Sequence, residues 1–357
     1  MVDLNPFKDL LIIDASTVLA GPSVGTFFAE LGAKVIKIEN KTIPDVTRSW
    51  KLPSEDPDSS ISAYFSSINY NKEYLQLNLK DAGDRELFVN LTNKADMLIS
   101  NFKPGDEEKL SITDKELRTF NTGLIIGKIN GFGSKSDRVA YDLILQAETG
   151  FMSMNGTPES GPVKMPVAMI DVLAAHHLKE GLLIALLEKN KTGIGRTVSV
   201  SLYEAAVCSL INQASNYLMT GNVPKRIGSL HPNIAPYGEI FETSDGKQIT
   251  FAIGSDIHFK KLCSFLELEH LADDPKFSTN PARVVNRKEL FELLNHKIGR
   301  YTSHSILQKM LEEKVPAGKI KDLQEVFENE TSKELIREEK IDGVPTKRVT
   351  SFAFKWE

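Results

Sequence analysis

An open α/β fold, with a mostly parallel sheet carrying helices on both faces and a smaller α+β domain beside it, is what this sequence predicts. Three observations lead there. Short apolar runs ending in polar residues alternate with amphipathic stretches through the N-terminal half, which is the rhythm of βαβ units. The chain of 357 residues is too long for one ordinary domain. Beyond Gly221 the pattern gives way to prolines, turns and period-two alternation.

Taken in order, "LLIIDAS" (10–16) is an apolar run with a polar end, a buried parallel strand. "GPSVGTFFAELGA" follows as a helix, with Pro22 suited to its first turn and Gly32 to its stop. "KVIKIEN" is the second strand, which closes the first βαβ unit. "YLQLNL" (74–79), "DMLISNF" (96–102), "GLIIGKING" (123–131) and "RTVSVSL" (196–202) read as further strands. Between them, "AGDRELFVNLTNKA" and "TDKELRTF" read as helices, the second capped by Thr113. "LYEAAVCSLINQASNYLMTG" (202–221) predicts one long helix ending at Gly221. An Asp245–Gly246 turn then marks a β-hairpin in the second domain. The last segment, "TKRVTSFAFKWE", predicts a strand returning to the first sheet. The expected division is a large domain over 1–205 completed by 328–357, a linker helix over 206–229, and a small α+β domain with its return linker over 230–327.

Composition narrows the function. Hydrophobic residues at 41% and charged residues at 25% are globular values. A formal charge of −5 argues against nucleic acid as a general partner, although a local basic pocket for an anion stays possible. No uncharged run reaches the roughly 18 residues that a membrane span needs. The opening "MVDLNPFKDLLIID" has acids where a secretory leader needs bases. Cys208 and Cys263 are solitary, in apolar surroundings, and fit buried thiols in a reducing compartment. The expectation is a cytoplasmic protein with no membrane or nucleic-acid partner.

The first βα turn, "TVLAGPSVGT", lies where α/β sheets bind ligands, and Glu39 ends the second strand. Gly21, Pro22 and Gly25 do not make a G-x-G-x-x-G, so a dinucleotide site is disfavoured. His176 and His177 are adjacent and point apart on a helix, and the other histidines have no partner at ligand spacing, so no metal is expected. No G-x-S-x-G elbow occurs. Lys37, Arg48, Lys72, Lys103 and Lys109 fall beside strand ends, where they could hold a phosphate-bearing ligand with a base stacked on Phe102 or Tyr141. Asp171 stands at the seam between an apolar run and an apolar helix, "MPVAMIDVLAAHHLKEGLLIALLEKNKTGIG". A carboxylate there either caps a helix over 172–190 or is kept for chemistry.

Several stretches together resemble one family. "VLAGPSVGTFFAELGAKVIKIE", "DVTRSW", "NYNKEYLQLNLKD", "LISNFKPG", "GFGSKSDRVAYDLILQAETGFMSMNG" and "KTGIGRTVSVSLYEA" follow, in order, the class III CoA-transferases, the CaiB/BaiF group of formyl-CoA and carnitine CoA-transferases. "HPNIAPYGEIFETSDGKQITFAIGSD" and "LADDPKFSTNPARVVNRKEL" are similar to the second domain of its shorter members. The resemblance covers nearly the whole chain.

It implies a Rossmann-like large domain in an interlocked, ring-like homodimer, with active sites between one subunit's large domain and the other's small domain. It also implies coenzyme A as acyl-CoA substrate and Asp171 as nucleophile, working through mixed-anhydride and aspartyl-CoA thioester intermediates. A mobile loop around Gly254 would help to stabilise the oxyanion. The implied coenzyme A contacts are Val18, Ala20, Asn71, Lys72, Asn101, Phe102 and Lys109, with Tyr141 and Asp142 at the edge of the active site. Thr17 and Leu19 replace the His and Gln of formyl-CoA transferases, and the glycine-rich loop is shortened to "AIGSD", which argues against formate or oxalate. The same superfamily contains α-methylacyl-CoA racemases, which pair the aspartate with a histidine in Gly-His-Asp. Here the triplet is Ala140–Tyr141–Asp142, and a phenol is a poor base at neutral pH. A CoA-ester binding protein without turnover is the third possibility.

Overall fold

The computed structural model describes residues 5–355. The first four residues, read above for leader character, and the last two of the expected C-terminal strand lie outside the described residues. The chain divides into two compact units, one of Met1–Met152, Lys164–Pro224 and Glu334–Glu357, the other of Ser153–Val163 and Lys225–Lys333.

The first unit is built on a parallel sheet of β1 (Leu11–Ala15), β2 (Lys34–Asn40), β3 (Glu73–Leu77), β4 (Met97–Ser100), β5 (Ile125–Asn130) and β6 (Thr197–Ser201). The spatial order is β3-β2-β1-β4-β5-β6, so the chain reverses its direction of travel across the sheet between β1 and β4. That switch point leaves a crevice at the carboxyl ends of these two strands. Ile12, Met97, Ile99 and Ile125 bury one face of the sheet, and Ile13, Leu98, Leu124 and Ile126 belong to a second cluster. Both faces are covered, as the near-continuous apolar strands require.

Two helices shape the crevice. Ala20–Glu30 begins five residues after β1 and buries Val24 and Phe28. Gly21 is needed where it starts, because a Cβ there would overlap the Ser16 side chain. The longer helix, Met169–Thr192, buries Ile170, Ala174, Leu178 and Leu182 down one side. It lies so close to β6 that a Cβ on Gly181 would sit 2.5 Å from Val198 Cγ1. A left-handed Gly193 (φ 72°) ends it. Thr113 and Glu116 form a reciprocal capping box on the helix Asp114–Phe120.

Three expectations are corrected. The long helix over 202–221 is two, Leu202–Cys208 and Ile211–Thr220, broken around Leu210. The C-terminal strand does not join the parallel sheet: Asp342 and Gly343, both at positive φ, turn it back on its neighbour. The product is an antiparallel hairpin outside that sheet, Ile336–Ile341 with Val344–Val349. Cys208 is exposed, whereas Cys263 is buried and its thiol is pushed up to about 12 by burial.

The second unit has its own core, including Phe241, Phe251, Phe259, Leu262, Leu294 and Met310. The predicted hairpin pairs Phe241–Glu242 with Gln248–Phe251 across Asp245–Gly246, and Ala317–Lys319 adds a third strand. Asp245 accepts hydrogen bonds from Thr243, Ser303 N–H and Ser303 Oγ, which hold its carboxyl below the usual range. Among the described residues no helix is long and apolar enough to cross a membrane.

Candidate active site

A cleft of about 250 Å³ opens at the switch point. Thr17 to Ala20 from the end of β1, Asn101 to Pro104 from the end of β4, and Ile129 to Gly131 from the end of β5 form its walls. Ser136 to Tyr141, Asp171 and Leu202 complete them. The sheet dictates this: three parallel strands deliver their carboxyl-end loops to one place.

The turn after β1 is held from two sides. Asn101 accepts the Thr17 N–H at 3.0 Å and returns its own amide to the Thr17 carbonyl at 3.0 Å. Val18 sits at φ 73°, an unfavourable conformation for a β-branched residue. Its N–H reaches the Asp45 carboxylate at 3.3 Å. Asp45 in turn accepts from Thr47 and from the Lys37 ammonium at 3.1 Å.

Beneath the turn lies a buried charge network. Lys72 Nζ donates to Asp14 at 2.8 Å and to Pro22 O, Ile68 O and Asn69 Oδ1, with none of its side chain exposed. Burial lowers the Lys72 ammonium to about 8, against the pull of Asp14. Burial also opposes ionisation of Asp14, but Lys72 and Lys37 outweigh it and hold that carboxyl below its ordinary range. Glu39, considered as a ribose-binding acid, is buried in a two-pronged pair with Arg48. Of the five basic residues singled out in sequence, Lys103 lines the cleft, Lys37, Arg48 and Lys72 are held in this network, and Lys109 lies at the surface beside Asp106.

The other residues singled out divide in the same way. Val18, Ala20, Asn101, Phe102, Tyr141 and Asp171 line the cleft. Asn71 is on the surface, its side chain on the Ala29 carbonyl and its N–H on Glu339. Asp142, next to Tyr141, opens the short helix Asp142–Glu148.

Asp171 is not the cap of its helix. The helix starts at Met169, three residues earlier than expected, so Asp171 is the third residue of the first turn. The capping role belongs to Asp142, whose Oδ1 accepts the Ile170 N–H at 2.7 Å. Among the described residues no donor reaches the Asp171 carboxylate. Asp171 is only 8% exposed. Burial, and then the charge of Asp142, push its carboxyl up to about 7. Tyr64, raised to about 12 by burial and then by Asp171, Asp142 and Asp45, remains a protonated phenol.

Sequence reasoning passed over Asp14, Asp45 and Gln146. A signal was present for the first: a carboxylate inside an apolar strand needs a buried partner. The nearby lysines Lys37 and Lys72 were noticed, but as holders of a phosphate-bearing ligand rather than as buried partners of a carboxylate. Gln146, fully buried, is bonded to Asp142 and to Met165, and its contacts could not be read from the chain. Among the described residues no group of three His, Cys, Asp or Glu could hold a metal ion.

The chain matches the model of CoA-transferase family III over residues 7–356. It is 34% identical to the succinate–glutarate CoA-transferase of Agrobacterium fabrum, over 90% of this chain and 82% of that protein. It is also 34% identical to the acetyl-CoA:oxalate CoA-transferase of Acetobacter aceti, with the same coverage. A solved CaiB/BaiF family protein from Brucella suis superimposes with a TM-score of 0.86 at 33% identity, over 99% of this chain and 93% of that one. An open parallel sheet with a cleft at its switch point, matched along its length by such relatives, belongs to CoA-transferase family III, and the protein is a CoA-transferase of that class.

Proposed function

We propose that this chain moves coenzyme A from an acyl-CoA donor to a dicarboxylic acid through covalent intermediates on Asp171. The observation that carries the reading is the Asp171 carboxylate itself, at the switch-point cleft, buried and without a hydrogen-bond donor among the described residues. A carboxylate so poorly solvated is a stronger nucleophile than one in water.

The Asp171 oxygen attacks the thioester carbonyl, the C–S bond breaks, and a mixed anhydride and CoA thiolate result. The thiolate attacks the aspartyl carbonyl of the anhydride, forming an aspartyl-CoA thioester and releasing the donor acid as its carboxylate. The acceptor carboxylate then displaces the thiolate, giving a second anhydride. Attack of the thiolate on the acceptor's acyl carbon yields the new acyl-CoA and returns Asp171 ionised. No net proton is consumed and a thioester replaces a thioester, so the barrier is divided into smaller steps.

The cleft volume of about 250 Å³ falls below the roughly 300–1,000 Å³ of sites that enclose a drug-sized ligand. It suits the thioester end, leaving the nucleotide outside. A dicarboxylate is favoured because the relatives are named for succinate, glutarate and oxalate. Lys103 in the cleft wall is the cation for a distal carboxylate, since Arg138 in the same wall is already paired with Glu148. A racemase would need a second base, and no histidine is among the residues lining the cleft. The same reading includes the interlocked homodimer, tested by light scattering against the 39.7 kDa chain.

The test is to incubate the enzyme with succinyl-CoA and hydroxylamine and to screen glutarate, oxalate and other acids as acceptors. A hydroxamate at Asp171 and loss of transfer in Asp171→Ala are expected. Turnover retained in that variant overturns the mechanism. Solvent deuterium entering the α-carbon without CoA transfer would indicate a racemase, and neither adduct nor exchange a binding protein.

A further inference from the structure

A buried carboxamide is linked through Asp142 to the start of the Asp171 helix. Gln146 has no exposed surface, yet both ends of its amide are used: Nε2 donates to Asp142 Oδ2 at 2.6 Å and Oε1 accepts the Met165 N–H at 2.8 Å. The other oxygen of Asp142 takes the Ile170 N–H at 2.7 Å. Neighbouring donors at the helix start are also occupied, Met169 N–H on Val167 O at 2.7 Å and Val172 N–H on Ala168 O at 3.1 Å.

Free N–H groups at a helix start ordinarily attract and stabilise a nearby carboxylate. Asp171 is in that first turn and receives none of these three. We infer that Gln146 is a positioning residue for the transfer chemistry: by clamping Asp142 onto the start of the Asp171 helix it keeps the Ile170 N–H engaged and leaves the nucleophile's carboxylate bare. Asp142 without Gln146 is free to turn toward solvent from the first residue of its own helix, and the released N–H then becomes available to Asp171. The inference rests on Asp171 being the nucleophile. The titratable groups around Asp171 are Asp142, Tyr64 and, in the cleft wall, Lys103, Asp137, Arg138 and Tyr141, and Asp142 is the charge that acts on it.

The experiment compares wild type with Gln146→Met, which keeps length and apolar bulk but neither donates nor accepts as an amide does. Transfer from succinyl-CoA is followed between about pH 5 and pH 9, alongside hydroxylamine trapping and circular dichroism. In the folded variant kcat should fall at least about tenfold with KM for succinyl-CoA within about twofold. The acid limb of kcat/KM should move down by about one pH unit as the freed N–H stabilises ionised Asp171. A folded Gln146→Met with wild-type kcat and an unmoved limb overturns the inference. If that variant does not fold, Gln146→Leu is used, which likewise lacks the amide donor to Asp142. Its limb should also move down, and an unmoved one overturns the inference. Failure to trap an adduct in wild type would instead strike the nucleophile assignment, so the two failures are distinguishable.

Discussion

Asp171→Asn should stabilise this protein while abolishing its activity, and the gain should depend on pH. The folded chain moves the carboxyl from 3.8 to about 7, chiefly through burial and secondarily through Asp142. At about 1.4 kcal/mol per pH unit, ionising Asp171 in the folded state is on the order of 4 kcal/mol less favourable than in the unfolded chain. The folded pKa lies above the unfolded one, so the penalty is absent below about pH 4, where both states are protonated. It grows as pH rises and is complete above about pH 7. The neutral, near-isosteric amide never incurs it. Urea unfolding at matched protein concentration should therefore show the two proteins diverging by about 4 kcal/mol between about pH 4 and pH 8, the variant being the more stable at the higher pH. Parallel stability profiles across that range would refute the claim that a desolvated, unpartnered carboxylate sits here.

Lys72→Met should lower stability by about 3–5 kcal/mol, measured as a drop in the urea midpoint, because Asp14 loses a buried partner. Gly181→Ala should cost about 1–3 kcal/mol, since the added methyl meets Val198 at 2.5 Å, and thermal melting reads it directly. Thr113→Ala removes one half of the capping box on an exposed helix and should cost about 1 kcal/mol without changing turnover. In wild type, kcat/KM for acyl-CoA should rise with pH through about 7 as Asp171 ionises, and a flat profile between about pH 5 and pH 8 would contradict that ionisation.

The sheet strands were legible because they obey a local rule. A strand buried on both faces is a short apolar run whatever surrounds it, so "LLIIDAS", "KVIKIEN" and "DMLISNF" correspond to β1, β2 and β4 within a residue or two. Thr113 announced its cap for the same reason, since the N–H it accepts, that of Glu116, lies within one helical turn. The C-terminal segment was misread because the antiparallel hairpin depends on an Asp342–Gly343 turn competing with a distant sheet edge.

By itself the sequence determined that strands and helices alternate, that the first βα turn lies at a ligand-binding edge, and that a lone carboxylate at position 171 opens a long apolar helix. Only the tertiary structure decided which charges stay free. It drew Lys37 and Lys72 into the interior against Asp45 and Asp14, gave Asp142 the capping role weighed for Asp171, and left Asp171 without a donor among the described residues. The physical reason is that solvation and pairing are properties of a side chain's three-dimensional surroundings. Residues up to 58 apart in sequence set them here, and no local pattern carries that information.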